Sequence, residues 1–462
     1  MTRVVLSVEA GAIDPATNLA RTMVRVVRSP FVVEGAGRAL EINLNSDQFP
    51  AWEQPDAVKA RGIRVRDSLL GHPGVAGVLA QLGNTPKEQS QPLYVMLSES
   101  DAELINWETL CNARDAFVAL DRRWPIGRIT DPINGTARPA AELQLPARLM
   151  ALISAFGIKG QVREWEMLRD ALAAARAAGF DLTMKVLVGD PALRAAIDAE
   201  IAGGLAGVEV AHIDKTPSRV LQEVAAWSPH ILHFFCHGRA ELGDQSLELA
   251  TAGDYADVEA TEGSVRINAR QLEDLSTELS NPWVLVLNCC SSGQAARNLH
   301  SIAHQVVSAG FPAAVAMSEP VDATDAYEFS GAFYRSLFVA LHAAAKKLKA
   351  QPRVLFEWAE PMYYGRTAIR DLHKERDERN LREWALPVLY VRGVDAFQFE
   401  RPHAEPEPDA SMYKVQARMV AEWLQNAARN ESEERRKAVM AHALAGVPKH
   451  YWPALDGSFP NE

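Results

Sequence analysis

The chain has 462 residues, with 48 Lys and Arg against 59 Asp and Glu, so its formal net charge is -11. Its content of 48% hydrophobic and 23% charged residues is typical of a folded globular protein and excludes a largely disordered chain. A length of about 150 residues per domain suggests two to three domains. The acidic balance argues against nucleic acid or an anionic membrane as a partner of the whole protein, so we expect neither.

Two features of the chain predict a cytoplasmic protein. No apolar run approaches the ~20 residues needed to cross a bilayer, and the N-terminal MTRVVLSVEAGAIDP lacks the apolar core of a signal peptide. The chain has four cysteines, and their spacing is neither that of a zinc ribbon nor that of a redox motif. They are Cys111, Cys236, Cys289 and Cys290. The GAGRALE segment at 35–41 lacks the Lys-Ser/Thr of a phosphate-binding loop. We expect reduced cysteines, no metal and no cofactor.

The first part of the chain, 1–135, is predicted to be a smaller mixed α/β region. Its turn residues separate three β-rich runs and one helical run, namely 3–8, 23–33, 92–97 and 72–82. Three prolines without a clear period at 131–146 predict a boundary after it.

The next part, 147–396, alternates continuous apolar runs with amphipathic segments. This pattern predicts an α/β domain with a doubly wound, mostly parallel sheet and helices on both faces. The predicted strands are 148–157, 182–189, 230–238, 283–290, 313–321 and 386–393. A long helical region is predicted from about 322 to 349.

Two of the predicted strands end in residues that can carry chemistry. One strand ends in His237 and Gly238, and a later one ends in Cys289 and Cys290. Ligands of such sheets bind at the carboxyl ends of the strands, where a histidine can activate a thiol and backbone N–H groups can bind an oxyanion. Because strand residues alternate between faces, Cys290, the last before the polar SSG turn, is the predicted nucleophile and Cys289 a packing residue.

Other interpretations of these residues stay open. A buried cysteine is often only a small apolar side chain, and a His-Gly pair also arises by chance. A metal site built from His233, Cys236, His237 and the cysteine pair is disfavoured, because adjacent strand residues diverge and no chelating spacing is repeated. His233 lies deeper on the same side of its strand as His237 and is predicted to be structural.

The segments HILHFFCHGRAEL and WVLVLNCCSSGQAA resemble the CHAT family, the caspase-like cysteine peptidases of clan CD that also resemble separase. The family's Leu-x-x-Cys-x-x-Gly pattern is matched by Leu287, Cys290 and Gly293. Three further segments, INWETL, AGFPAAVAMSEPVDATDAYEFSGAFYRSL and EWALPVLYVRG, extend the resemblance to about residues 60–395. Asn106 replaces a proline of the family, and Cys289 stands where small residues are common.

The resemblance implies a caspase-like fold and a regulated cysteine endopeptidase. In such an enzyme Cys290 attacks the peptide carbonyl, His237 serves as general base and acid, and the N–H groups of Gly238 and Cys290 hold the oxyanion. The resemblance also implies a dedicated protein substrate and a separate sensor or activator protein. It further suggests a bacterial antiviral defence or cell-death pathway in which a gasdermin-like or other partner is cleaved.

The substrate side chain and the activity itself leave alternatives open. The charged candidates for lining the substrate pocket are Glu319 and Asp322, with Lys159 and Arg163. One alternative is a catalytically silent peptide-binding scaffold with the same fold, and another is a non-proteolytic acyltransferase that uses the same dyad.

Two further segments complete the prediction. The segment 239–281 is expected to be a loop-rich insertion above the site that becomes ordered with a partner. Prolines and acidic residues at 399–411 predict a linker, and 412–462 is predicted to be a helical C-terminal tail. Such a tail docks on the protein's own sheet domain or recognises a partner.

Overall fold

The computed structural model describes most of the chain, in segments separated by gaps. The described residues are 3–13, 20–44, 49–51, 56–97, 105–130, 140–241, 244–289, 299–375, 382–402, 410–426, 431–444, 452–455 and 458. Two compact units divide the chain, Met1–Arg401 and Pro402–Glu462.

The first unit is built on a single large sheet that has 14 strands within the described residues. Its N-terminal strands are β1 (Val4–Ile13), β2 (Ala20–Arg28), β3 (Leu40–Ile42), β4 (Leu93–Leu97) and β5 (Ile126–Thr130). The remaining strands are β7 (Ala147–Ser154), β8 (Leu182–Val188), β9 (Val208–His212), β10 (Ile231–Glu241), β11 (Asp244–Leu249), β12 (Val265–Asn268), β13 (Val284–Leu287), β14 (Ala313–Met317) and β16 (Pro387–Arg392). A small second sheet contains β6 (Ala141–Glu142), β15 (Arg353–Phe356) and β17 (Phe397–Glu400).

The main sheet has the order β3-β2-β1-β4-β5-β16-β14-β13-β10-β7-β8-β9, with β11 and β12 added beside β10. The pairs from β14 to β9 along this order are parallel, and β16 is antiparallel to β14. The predicted mixed α/β class with a mostly parallel sheet is confirmed. All the strands predicted between residues 147 and 396 form, because their continuous apolar runs are buried on both faces.

The N-terminal strands belong to the same sheet as the later ones. Strand β5 pairs in parallel with β16, with Ile129 opposite Val391. The prediction divided the chain at 131–146, whereas the structure places both sides of this segment in the unit Met1–Arg401. The sequence pattern shows where strands occur but not which strands become neighbours, so this pairing was not foreseen.

Helices cover both faces of the sheet. They are α1 (Ala57–Leu69), α2 (Pro73–Leu82), α3 (Gln161–Ala177), α4 (Pro191–Ala202), α5 (Pro217–Trp227), α6 (Ala252–Ala256), α7 (Ala269–Glu278), α8 (Leu299–Ala309), α9 (Ala323–Leu348) and α10 (Ala359–Glu375). Apolar residues of α3, α9 and α10 share one hydrophobic cluster with one face of the sheet. Those of α5, α7 and α8 share a second cluster with the other face. None of the helices in the described chain has the length and apolar character that crossing a membrane requires.

The segment predicted as a loop-rich insertion is largely regular structure. Strand β11 pairs with the extension of β10, β12 pairs with β11, and α6 and α7 complete the insertion. Leu247, Leu249 and Ile267 are fully buried in it. Apolar and polar residues alternate in β11 and β12, but each strand has only two apolar residues in the pattern, too few to predict a strand from the sequence.

The second unit contains α11 (Ala410–Asn426) and α12 (Glu433–Ala443), close to the two helices predicted for the tail. Val420, Leu424 and Leu444 form its small buried cluster, with Trp423 and Trp452 partly buried against it. The unit begins at Pro402, inside the predicted linker 399–411, although Phe399 and Glu400 still belong to β17.

Candidate active site

The candidate site lies at one edge of the sheet. Strands β7, β10, β13 and β14 are mutually parallel neighbours, so their carboxyl ends meet there. Ligands of open α/β sheets bind outside these strand ends. Strand β10 carries His237 near this edge, and β13 leads to Asn288 and Cys289.

His237 is held in a defined protonation pattern. Its side chain is buried, with 4% exposed, and its Nε2 lies 2.6 Å from the carbonyl oxygen of Phe156. Because a carbonyl oxygen only accepts hydrogen bonds, Nε2 carries the proton and Nδ1 of the neutral ring keeps its lone pair. Nδ1 is buried and has no hydrogen-bond partner among the described residues. The ring is therefore oriented so that Nδ1 can accept a proton from a group outside the described residues.

The turn after β7 presents the Phe156 carbonyl. Gly157 has a φ of 78°, a conformation that favours glycine, and the Ile158 N–H donates to the Ala155 carbonyl at 3.0 Å. The Phe156 ring packs edge-on against Tyr255, with 5.0 Å between centroids. This turn fixes the orientation of His237 from the neighbouring strand.

Contacts of Ala250 join the insertion at 239–281 to the carboxyl ends of β7 and β8. The Ser154 hydroxyl donates to the Ala250 carbonyl at 2.8 Å and accepts from the Ala250 N–H at 2.7 Å. A Cβ at Gly189 would lie 2.2 Å from the Ala250 oxygen, so only glycine permits this close approach. The insertion is thereby held against the sheet edge beside His237.

The two described cysteines near the edge lie on the face opposite His237. Cys289 and Cys236 are fully buried in the second hydrophobic cluster, and their Sγ atoms are 3.6 Å apart. The prediction that Cys289 is a packing residue is confirmed. Cys290, the predicted nucleophile, lies outside the described residues. Gly238 lies on β10 directly opposite Leu247 of β11.

A buried polar network lies beneath the edge, on the face of His237. His233 is fully buried, and its Nδ1 accepts from the Tyr334 hydroxyl at 3.0 Å. Its Nε2 lies 2.9 Å from Glu164 Oε1, although the N–H points outside hydrogen-bonding angles to this oxygen. Burial, with the nearby charge of Glu164, raises the pKa of Tyr334 well above its ordinary value. The buried position of His233 agrees with its predicted structural role.

Asn288 connects this network to the chain that leads to Cys289. Its Nδ2 donates to the Ala326 carbonyl and to the Ser330 hydroxyl, both at 2.8 Å, and lies 3.4 Å from both Glu164 oxygens. Its backbone N–H donates to the Phe234 carbonyl at 2.9 Å. The start of the segment after β13 is therefore anchored on α3, α9 and β10.

The charged residues proposed for substrate binding have different partners in the structure. Glu319 forms an ion pair with Arg382 at 3.2 Å, and Asp322 caps α9 by accepting from the Thr324 N–H at 2.7 Å. Arg163 is exposed and pairs with Glu166 at 2.6 Å.

Asp322 and Lys159 line two different cavities beside the carboxyl edge. The Asp322 cavity measures about 270 Å³ and also contains Asp325 and His373. Burial raises the pKa of Asp325 to about 6, although the His373 ring lies 2.7 Å away. The cavity lined by Lys159 measures about 430 Å³, and its lining begins at Gly157, the residue after Phe156.

Sequence reasoning missed the groups that orient the site. The Phe156 partner is a backbone carbonyl, which has no signature in the residue type. Glu164 did carry a signal, because it stands in the apolar stripe of α3 that also includes Trp165 and Leu168. A carboxylate in such a stripe needs buried partners, but the sequence does not name them.

Comparison with protein families identifies the fold and its relatives. The sequence profile of the CHAT domain matches residues 148–390, more than half of the 462 residues. The chain belongs to the CHAT family. This places it in a caspase-like protease family, as the resemblance of its two strand-end motifs predicted. The matched segment begins within β7 and ends within β16, and it includes the carboxyl ends of β7, β10, β13 and β14 around His237.

Individual relatives add little to this family assignment. Among curated proteins no match was found. Among solved structures, one similar chain comes from the crystal structure of the Saccharomyces cerevisiae separase–securin complex at 3.0 Å resolution. The identity is 11% and the TM-score 0.31, with 76% of this chain and 19% of that chain covered. This CHAT protein therefore spans about a fifth of the length of that chain.

Proposed function

We propose that this CHAT protein is a regulated cysteine endopeptidase in which Cys290 and His237 form the catalytic dyad. The observation that carries the proposal is the state of His237. Its Nε2–H is bound to the Phe156 carbonyl, and its buried Nδ1 has no partner within the described part of the chain. A buried nitrogen lone pair without a donor is costly, so such an arrangement favours a proton donor that belongs to the reaction.

The proposed reaction follows from this orientation. Nδ1 of His237 takes the proton from the Cys290 thiol, and the thiolate sulfur forms a bond to the substrate carbonyl carbon. The peptide C–N bond then breaks, and the leaving amine receives the proton from Nδ1. Water hydrolyses the thioester, again with His237 as the base. The Phe156 carbonyl stabilises the imidazolium that forms between these steps, because it accepts the Nε2–H throughout.

The other parts of the proposal come from the family and from residue position. Gly238 and Cys290 supply backbone N–H groups to the oxyanion. Asp322 and Glu319, which follow the neighbouring strand β14, contact the substrate. The Asp322 cavity supports this, since it lies at the same strand edge. For Glu319 to take part, its ion pair with Arg382 would have to open.

We further propose a protein substrate cut at few sites, an activator or sensor protein, and a role in bacterial defence or cell death. The family resemblance supports this part. The folded insertion supports control of the site through its contacts with the ends of β7 and β8, rather than through a loop that becomes ordered.

A peptidyl electrophile tests the nucleophile without a known substrate. We expect a peptidyl acyloxymethyl ketone to add one adduct to the wild-type protein, measured by intact mass and located by peptide mapping on Cys290. Cys290→Ala removes the adduct, whereas Cys289→Ala, the matched control next in sequence, keeps it. Labelling of Cys289, or retained labelling in Cys290→Ala, rejects the dyad.

The alternatives predict other results. A silent scaffold binds the peptide but neither reacts with the electrophile nor cleaves any protein in a proteome digest. An acyltransferase forms the Cys290 adduct and transfers the acyl group to an added amine, without releasing hydrolysed fragments. Hydrolysed fragments with new N-termini, lost in Cys290→Ala, support the peptidase.

A further inference from the structure

The cavity of about 430 Å³ beside β7 and β8 is not used by the dyad. It is lined by Gly157, Ile158, Lys159, Gln161, Val162, Asp190 and Tyr255. We call it the Gln161 cavity. Its volume falls in the range of about 300–1,000 Å³ that is usual for small-ligand sites. It starts one residue after Phe156, whose carbonyl orients His237, so the cavity flanks the proposed catalytic cleft.

Gln161 is the unsatisfied group of this cavity. The side chain is 6% exposed, and its Nε2 donates to the Tyr255 hydroxyl at 2.7 Å and to the Ala155 carbonyl at 3.2 Å. Its Oε1 is buried and has no hydrogen-bond partner within the described residues. The Ala155 carbonyl fixes which end of the amide is Nε2, because a carbonyl cannot donate. The wall of the cavity therefore holds a buried acceptor that has no donor within the described residues.

Tyr255 supplies the complementary group. Its oxygen accepts from Gln161, which leaves its own O–H available to donate. Burial raises the pKa of Tyr255 to about 12, so the hydroxyl keeps its proton at neutral pH. An acceptor at Gln161 and a donor at Tyr255 lie on adjacent, hydrogen-bonded groups. A primary carboxamide, which has both N–H donors and a carbonyl acceptor, matches this pair.

The cavity carries charges of both signs, so a ligand with a single full charge of either sign meets one repulsive group. The carboxylate of Asp190, which caps α4, opposes an anion, and Gln161 Oε1 opposes it as well. The ammonium of Lys159 opposes a cation, as do the N-termini of α3 and α4. Ile158 and Val162 provide apolar wall for a short aliphatic stem. A neutral side chain with an amide end meets none of these penalties.

We propose that the Gln161 cavity is a specificity subsite that binds a glutamine or asparagine side chain of the protein substrate. This inference rests on the proposed peptidase activity, because only a peptidase makes the bound side chain part of a substrate. The binding itself requires no turnover, so the two proposals fail in different experiments.

The first test measures binding to full-length Cys290→Ala, with labelled Ile and Val methyl groups observed by NMR. The probes are the N-acetyl methylamides of glutamine, glutamate and lysine. We expect the glutamine probe to shift the Ile158 and Val162 methyl signals and to bind at least about fivefold tighter than the others, the worth of one or two net hydrogen bonds. No shift, or equal or tighter binding of the glutamate or lysine probe, overturns the proposal.

Substitutions then test which groups discriminate. Tyr255→Phe is expected to weaken the glutamine probe about fivefold, whereas the matched control Tyr364→Phe on α10 leaves it unchanged. Asp190→Asn keeps a helix cap and is expected to improve the glutamate probe relative to the lysine probe. Lys159→Gln is expected to do the reverse. Unchanged ratios in both charge variants overturn the charge argument and the proposed selectivity.

Cleavage provides the second test. In the new N-termini made by wild-type protein in a proteome, Gln and Asn are expected to be enriched at one position flanking the cut, and Tyr255→Phe should reduce this enrichment. If the acyloxymethyl ketone does not label Cys290, the proposed peptidase is rejected. The subsite is then accepted or rejected on the NMR titration alone. Cleavage without Gln or Asn enrichment, together with a silent NMR titration, rejects the subsite alone.

Discussion

One buried histidine directly precedes β10 and another lies in its second half, and the two differ in how completely their ring nitrogens are satisfied. His230 directly precedes the strand, and His237 lies seven residues later, near the carboxyl end. Both side chains are nearly inaccessible to solvent. The two residues thus share a residue type and a degree of burial and lie within eight residues of one chain segment. Their difference comes from their neighbours.

At the amino end the ring is fully partnered. His230 Nδ1 accepts from the Arg148 backbone N–H at 3.0 Å, and Nε2 lies 3.4 Å from Gln144 Oε1. The ring stacks on Trp283 at 4.3 Å with an interplanar angle of 7°. At the carboxyl end, His237 has a partner for Nε2, and Nδ1 has none among the described residues. A complete partner set indicates a structural histidine, and an open nitrogen at a ligand-binding edge indicates a functional one.

The strongest way to break this comparison is to remove the open ring. We expect His237→Ala to lower kcat/KM for an identified protein substrate by about 10²–10⁴-fold, the usual loss of a general base. The substitution also removes the buried ring and its Nε2–H bond to the Phe156 carbonyl, so the urea midpoint should fall, and turnover is compared under conditions in which both proteins are folded. A variant with near wild-type turnover would remove His237 from the mechanism.

The middle of the strand gives a second test. His233→Ala removes the acceptor of the Tyr334 hydroxyl and one of the buried contacts of Glu164, so we expect the free energy of unfolding to fall by about 1–3 kcal/mol. The pH dependence of kcat/KM in the folded protein should stay that of the wild type. Urea unfolding and a pH–rate profile measure the two quantities. A shifted pH–rate profile with an unchanged free energy of unfolding would show that His233 takes part in the reaction. The contrast between structural and functional histidines would then fail.

The histidine before β10 gives a third test, in which the effect on stability depends on pH. Burial, aided by the charge of Arg148, lowers the pKa of His230 from 6.5 to about 3. Between these values the unfolded chain binds a proton that the folded protein does not, so the free energy of unfolding falls as pH decreases below 6.5. From pH 8 to 5 this group should cost about 2 kcal/mol.

His230→Asn is the matched variant for that measurement, since an amide oxygen can accept from the Arg148 N–H without titrating. Urea unfolding of both proteins at pH 5 and pH 8 gives the comparison. The wild type should lose more stability than the variant between the two pH values. Equal losses would show that His230 titrates in the folded protein near its ordinary pKa.

The predictable part of the site followed from strand periodicity. Alternation on a strand assigned Cys289 to the core and His233 to a buried structural role, and both residues lie there. It also makes Cys290 the predicted nucleophile, which stays a prediction. Periodicity could not reveal the strands β11 and β12, because their polar residues pair across strands whose proximity depends on the insertion folding back on β10.

The sequence by itself determined the α/β class, the six strands β7, β8, β10, β13, β14 and β16, and the family to which the chain belongs. These follow from local patterns, since continuous apolar runs and strand-end motifs are read within a few residues. Only the tertiary structure decided that β5 pairs with β16, that the Phe156 carbonyl sets the His237 tautomer, and that Gln161 meets Tyr255. Each of these contacts joins distant parts of the chain, and their geometry depends on strand order and turn conformation that no local pattern encodes.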